Sequence, residues 1–239
     1  MLTSLVKDAA RSLGVDLRRY HPLNSADLRL AHFLWARHVD LVLDIGANTG
    51  QFAQSLRKAG YRGRIVSFEP LTAAWGELNR SSKSDPLWEA APRMAIGNVD
   101  GEIEIHVAGN SQSSSALGML ASHVRAEPHS GYVGVERAPL RRLDSVVASY
   151  ERPDSKLFVK IDTQGFEAQV LDGMAELLKR TVGVNVEVSL VPLYEGQVLY
   201  LGIISLLQAA GFEIWDLSPV FFDPESRRML QGNAIFFRD

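Results

Sequence analysis

Apolar positions recur along this chain with two periods, 3.6 and 2, and the two alternate. Residues 27–38 follow a helical pattern, LVLDI at 41–45 reads as a strand, 50–59 as a helix ending at Gly60, and 64–69 as a strand stopped by Pro70. A helix over about 71–80 leads to the polar patch SSKSDP, then to a weaker strand near 89–95 and to EIEIHV at 102–107, whose clean alternation fits a half-buried strand. From 109 to 134 the chain is rich in Ser, Gly and His with little periodicity, which predicts a long loop or lid. RLDSVVASY at 142–150 reads as a short helix, KLFVKID at 156–162 as a buried strand, 165–179 as a helix, VGVNVEVSL at 182–190 as a strand and 196–210 as a helix, with FEIWDL and NAIFF as a closing pair. Alternating β and α units imply an α/β fold, a largely parallel sheet with helices on both faces and an antiparallel edge from the closing pair.

The N-terminal segment, 1–38, places Leu2, Leu5, Val6, Ala9, Ala10 and Leu13 at helical spacing with basic residues between them, and reads as a helical cap on a single domain spanning 1–239. It lacks the continuous apolar block of a signal peptide, although a basic amphipathic helix also permits peripheral membrane contact. The longest uncharged run, GQVLYLGIISLLQAAGF at 196–212, has 17 residues and includes Gln197, Tyr200, Ser205 and Gln208. It is too short and too polar for a membrane span, so no transmembrane segment is expected.

Composition narrows the function classes. A chain of 239 residues, 46% hydrophobic and 22% charged, is large enough for the core of one α/β domain. A formal net charge of -3 gives no basic field, which argues against nucleic acid as a partner. Without cysteine there is no disulfide framework, thiol nucleophile or cysteine-ligated zinc, and a cytoplasmic location is the simplest reading. No heptad or apolar surface helix fixes the oligomeric state.

The chemistry concentrates where LVLDIGANTG breaks from strand to loop. Gly46 and Gly50 let the backbone turn and come close to a ligand, Asn48 tolerates a left-handed conformation, and the following helix offers free backbone N–H groups. Asp44 can accept from loop amides or a ligand ammonium. Glu69, 19 residues after Gly50 at the end of the second strand, can accept both hydroxyls of a ribose. Two cofactors fit such a pair. A nicotinamide dinucleotide, and with it an oxidoreductase, wants G-x-G-x-x-G, and Asn48 occupies the second glycine's place; an acidic head, D-x-G-x-x-x-G, suits the amino-acid tail of S-adenosylmethionine. A non-catalytic module retaining cofactor binding is a third reading.

LDIGANTGQFA, SFEP, AIGNVDGE, SQSSSAL, LRRLDSV, VKIDTQGFEAQVLDG and VEVSLVPLYEGQ occur in an order that resembles the FkbM-type methyltransferases over about residues 40–238. The resemblance implies a class I, Rossmann-like methyltransferase fold: seven strands, the last antiparallel, with S-adenosylmethionine as methyl donor. It also implies O-methylation of a small-molecule or glycan acceptor, such as a sugar in a glycolipid or a secondary metabolite. Carried onto this chain, it puts Asp44, Gly46, Asn48, Thr49 and Gly50 around the methionine moiety, Glu69 and Pro70 at the ribose, Asn98 near adenine, and Ser114 and Asp162 within reach of the cofactor. The chain departs from many relatives at Thr163 and Gln164, where Val and Glu are frequent, and at Asn233, where Asp is frequent.

Methyl transfer to oxygen needs in-line alignment and a base for the acceptor's proton. Asp162, at the carboxyl end of its strand and on one face with Lys160, is the first candidate base. Glu187, flanked by valines that desolvate it, is the second. Ser113, Ser114 and Ser115 are candidate pocket residues; Tyr194 and Glu195 lie where an acceptor could be touched. His106 is expected on the solvent side of its strand, and Trp75, Trp88 and Trp215 in packing roles. His123 and His129 lie in the long loop without a third ligand at diagnostic spacing, so no metal site is expected. The acceptor pocket is expected from the variable segments 109–134 and 191–200.

Overall fold

The computed structural model describes residues 2–238, with side chains from residue 5 onward. Its strands are β1 (Leu41–Ile45), β2 (Arg64–Phe68), β3 (Trp88–Ala90), β4 (Ala95–Ile96), β5 (Gly101–Ala108), β6 (Tyr132–Arg141), β7 (Leu157–Ile161), β8 (Gly183–Ser189), β9 (Glu213–Phe222) and β10 (Met229–Phe237). Its α-helices are α1 (Leu2–Ser12), α2 (Ala26–Ala36), α3 (Gln51–Lys58), α4 (Thr72–Ser82), α5 (Ala121–Ala126), α6 (Leu143–Val146), α7 (Glu167–Asp172), α8 (Ala175–Leu178) and α9 (Tyr200–Ala209).

Seven strands form one sheet in the order β3-β2-β1-β7-β8-β10-β9. All neighbouring pairs are parallel except those of β10, which runs antiparallel to both β8 and β9. The burial of β1, β7 and β8 along their whole length follows from this position: covered on both faces, they read as continuous apolar runs rather than as alternation. Leu43 and Ile45 face a core closed by α6–α9, whereas Val42 and Asp44 face the opposite side, where Leu30 and Leu34 of α2 and Ala53 and Leu56 of α3 pack. A smaller sheet, β4-β6-β5, carries Ala95, Ile105 and Leu140 against Leu71 and Ala74 beside α4. Among the described residues no helix is long and apolar enough to cross a membrane.

Three expectations need correction. The weak strand at 89–95 is two strands in two sheets, because Pro92 lacks the N–H that would continue the ladder and the chain leaves the main sheet there. The helix over 165–179 breaks at Gly173, whose carbonyl accepts from Asp144 N while the Asp144 carboxylate accepts the N–H groups of Glu176 and Leu177, capping a new helix. Only the first part of 109–134 is irregular: α5 and the start of β6 follow, and β6 pairs with β5 along nearly its whole length. Its alternation is hard to read because Val133 and Val135 are exposed. Within 1–38, Leu30, Ala31 and Leu34 of α2 pack into the core, whereas Leu5 and Val6 of α1 are 67% and 52% exposed.

Candidate active site

The strand order reverses at β1, which pairs with β2 on one side and β7 on the other, and a crevice opens beyond the carboxyl ends of these strands. The loops leaving β1, β2 and β7, with residues 111–116 beyond β5 as a roof, enclose a cavity of about 320 Å³, within the usual range for a ligand pocket.

The β1 loop is shaped by the protein around it. Gly46 has φ +73°, and a Cβ there would lie 1.9 Å from the carbonyl oxygen of Asp162; Gly50 has φ +92°, and its Cβ would lie 2.6 Å from the Trp88 ring. Both glycines are therefore required by neighbouring chain rather than by a ligand, although Gly46 also lines the cavity. Asn48 adopts the expected left-handed conformation at φ +48°, accepts from Thr49 N at 2.9 Å and donates to Ser111 Oγ at 3.3 Å, tying loop to roof. Asp44 does not touch the loop amides. It lies outside the cavity lining, fully buried behind Lys160, where its Oδ2 accepts from Ser67 Oγ at 2.9 Å and its Oδ1 lies 3.2 Å from Lys160 Nζ. Asp44 thus acts through Lys160, which donates to the Gly46 carbonyl at 2.8 Å and fixes the loop from below. Thr49 and Gly50 lie outside the cavity lining.

Glu69 is in the wall, as is Pro70. It is 4% exposed and accepts the Asn48 N–H on one oxygen at 2.8 Å and the Leu71 N–H on the other at 2.9 Å. Each oxygen keeps a free lone pair for a ligand hydroxyl. Burial pushes its pKa up to about 7, against the opposing pull of those two N–H donors. Beside it Met94, Ala95, Ile96, Ile103, Ile105 and Phe166 form an apolar slot.

The other half of the cavity is polar. Asp162 and Glu187, the two candidate bases, are joined by Gln164, whose Nε2 donates to Asp162 Oδ1 and to Glu187 Oε2, each at 2.8 Å. Gln164 holds φ +53° and is pinned by Tyr194, whose hydroxyl donates to Gln164 Oε1 at 2.8 Å. Lys160 Nζ stands 3.6 Å from Asp162 Oδ2; burial pulls its pKa down, but Asp44 and Asp162 outweigh this and hold it above the ordinary value. Glu187 is buried, and desolvation followed by the nearby Asp162 and Glu167 charges raises its pKa well above the ordinary carboxyl value. A neutral amide at position 164 suits this crowding: a carboxylate there would add a further negative charge and could not donate to both neighbours.

Several residues singled out in the sequence stand elsewhere. Asn98 is exposed beyond β4 and outside the lining, although its neighbours Ala95 and Ile96 belong to it. Tyr194 is 1% exposed and supports Gln164 rather than facing the cavity. Ser114 and Ser115 line the cavity; Ser113 lies behind it, its carbonyl 3.1 Å from the Tyr194 hydroxyl. His106 stacks on Tyr132, with ring centroids 4.8 Å apart. His123 is buried in α5 against Tyr194, and desolvation lowers its pKa to about 4; His129 is exposed. Trp75 and Trp88 donate from Nε1 to Ala91 O and Ser67 Oγ, and Trp215 lies under the Arg37 guanidinium. Among the described residues no three His, Asp or Glu side chains are grouped to hold a metal.

Sequence reasoning missed two residues that matter here. Glu167 is 3% exposed and accepts from Thr163 N and Gly165 N, each at 3.0 Å, shaping the turn after β7; burial raises its pKa to about 7. Its place two residues after Gly165 was the available signal. Asn185 lines the cavity at 5% exposure. A polar residue inside the otherwise apolar VGVNVEV could have flagged it.

A family model described as the methyltransferase FkbM domain matches residues 44–214. Among solved structures the chain is similar to the magnesium protoporphyrin IX methyltransferase ChlM from Synechocystis PCC 6803 with bound SAM (12% identity, 99% of this chain and 96% of that one covered, TM-score 0.44). It is also similar to the CcbJ methyltransferase from Streptomyces caelestis (12%, 89% and 95%, 0.45) and to TehB from Haemophilus influenzae (9%, 90% and 62%, 0.48). Likeness at these levels says nothing about a substrate. No curated protein sequence matches.

Proposed function

Since the chain belongs to the FkbM methyltransferase family, and is thus an S-adenosylmethionine-dependent methyltransferase, we propose that it methylates a hydroxyl of a sugar, glycolipid or other small natural product. The observation that carries this reading is the Asp162–Gln164–Glu187 cluster, which puts two carboxyls joined by one amide in the polar half of the cavity, where an alcohol needs deprotonation.

The residues fit the donor. The apolar slot suits the adenine ring, the free lone pairs of Glu69 suit two ribose hydroxyls, and the loop over Gly46 and Asn48 suits the methionine end. The Asp162 carboxylate, and Glu69 once ionised above pH about 7, favour a ligand carrying an ammonium and a sulfonium. Bound S-adenosylmethionine supplies a methyl group on that sulfonium. Within this chain Asp162 takes the hydroxyl proton, Gln164 holds its carboxylate in place, and Lys160 offsets the charge. Glu187, whose burial favours the protonated form, orients the acceptor.

Two measurements follow. Incubation with labelled donor and a panel of hydroxyl and amine acceptors is expected to yield methyl ethers; N-methylated products alone would contradict the reading. Binding of S-adenosylhomocysteine is expected to tighten with pH. Glu69 of the free protein holds a proton below pH about 7 and is a full acceptor above it, so raising pH from 6 to 8 tightens binding about tenfold. Glu69→Gln removes most of this dependence in calorimetric titrations. An equally steep profile in the variant would assign the proton to another group, such as Glu167.

A further inference from the structure

Among the described residues, one buried polar side-chain atom of the cavity lining has no hydrogen-bond partner. Asn185 on β8 lines the polar half at 5% exposure, and its Oδ1 is buried without a hydrogen-bond partner. Such an orphan is costly in a finished core. Here its position explains it. Asn185 sits beside Lys160 in the parallel register and two residues before Glu187 on one face of β8, and Asn233 of β10 faces Glu187 across the antiparallel pair. Gln51 and Phe52 at the start of α3 and Val220 of β9 complete this wall, on the side of the switch point away from Glu69 and the apolar slot.

We propose that Asn185 is an acceptor-binding residue whose amide, held by no bond through Oδ1, turns to the cavity and accepts there a hydrogen bond from a second, unreactive hydroxyl of the acceptor, so that the enzyme selects a polyhydroxylated ring over a simple alcohol or a phenol. This rests on the O-methyltransferase reading and adds the feature the acceptor must carry. Alternate residues on one strand face stand about 6.6 Å apart, a span that two hydroxyls of one sugar ring bridge. With the reacting hydroxyl at the Asp162–Glu187 pair, the second reaches Asn185. In the transfer the new bond joins acceptor oxygen and methyl carbon as the sulfur–methyl bond breaks, its electron pair stays on sulfur, and the hydroxyl proton passes to Asp162. Asn185 gains and loses nothing; it fixes which hydroxyl is presented.

The test compares wild type and Asn185→Leu using labelled S-adenosylmethionine with methyl glycosides of common hexoses, cyclohexanol and catechol, alongside calorimetric titration of S-adenosylhomocysteine. Wild type is expected to methylate at least one glycoside and neither of the other two. Asn185→Leu is expected to raise the glycoside KM about tenfold, the cost of one lost hydrogen bond, with the dissociation constant for S-adenosylhomocysteine changed less than threefold. Asn185→Asp, which keeps the oxygen, is expected to bring KM most of the way back. If cyclohexanol or catechol is methylated as well as the glycosides, if no glycoside reacts, or if Asn185→Leu leaves KM unchanged, the inference is overturned. The wild-type comparison decides it even if the leucine variant does not fold. Failure of S-adenosylhomocysteine to bind wild type would instead overturn the assignment of the donor site.

Discussion

Gly46→Ala is expected to lower the melting temperature by about 10 °C or to abolish folding. Two costs coincide at this position. A φ of +73° strains any residue with a Cβ, and that Cβ would lie 1.9 Å from the Asp162 carbonyl oxygen, a backbone atom that cannot swing aside. Relief requires the β1 and β7 loops to part, and both are tied down: Asp162 N donates to Ile45 O, and Lys160 Nζ donates to Gly46 O. The expected loss is about 3–5 kcal/mol, near the top of the range for single substitutions, and 1 kcal/mol moves the melting point of a domain this size by about 2–4 °C. Gly60→Ala is the control. It also has a positive φ, +103°, but open space around its Cβ, so only the strain remains and the cost is about 1 kcal/mol. Thermal melts of the two variants check this; equal shifts would show that the contact with Asp162 is easily relieved.

Asp162→Asn is expected to lower kcat by about 10²–10⁴-fold, the usual contribution of a general base. The change keeps an oxygen for the Gln164 amide, so the turn should survive and the affinity for S-adenosylhomocysteine should change only a few-fold. Glu187→Gln is expected to do much less, under about tenfold, because burial favours the neutral form of this carboxyl and an amide mimics that form. Steady-state rates with labelled donor and calorimetry on the same preparations separate the roles. If the affinity of Asp162→Asn falls in step with its rate, Asp162 is a ligand of the cofactor rather than the base; if Glu187→Gln loses more activity than Asp162→Asn, the two carboxyls exchange roles.

The elements that were legible in the sequence are those whose burial is uniform or strictly alternating. LVLDI, KLFVKID and VGVNVEVSL fell within a residue of β1, β7 and β8, since strands covered on both faces leave continuous apolar runs. β6 was not legible, because its two valines face outward and its buried positions, Ala138 and Leu140, come only at its end. The break between α7 and α8 depends on Asp144, more than 30 residues away in sequence, and no local pattern carries it. At the site, the loop geometry of Asn48 and the placement of Glu69 followed from local rules, whereas the partners of Asp44, Gln164 and Tyr194 did not. Asp44 looked like a ligand contact because strand ends collect ligands, but it is buried behind Lys160 and bonded to Ser67. Gln164, noted only as a departure from relatives, holds the two carboxyls together through contacts that span the sheet.

The proposed hold of Glu69 on the donor's ribose is the contact on which cofactor binding depends most directly. Calorimetric titration of S-adenosylhomocysteine into wild type and Glu69→Ala at pH 8 tests it. Saturable one-to-one binding to wild type, weakened at least about 100-fold in the variant by loss of two charge-assisted hydrogen bonds, is the expected result. Absence of binding to the folded wild type, or equal affinity in the two proteins, would contradict it.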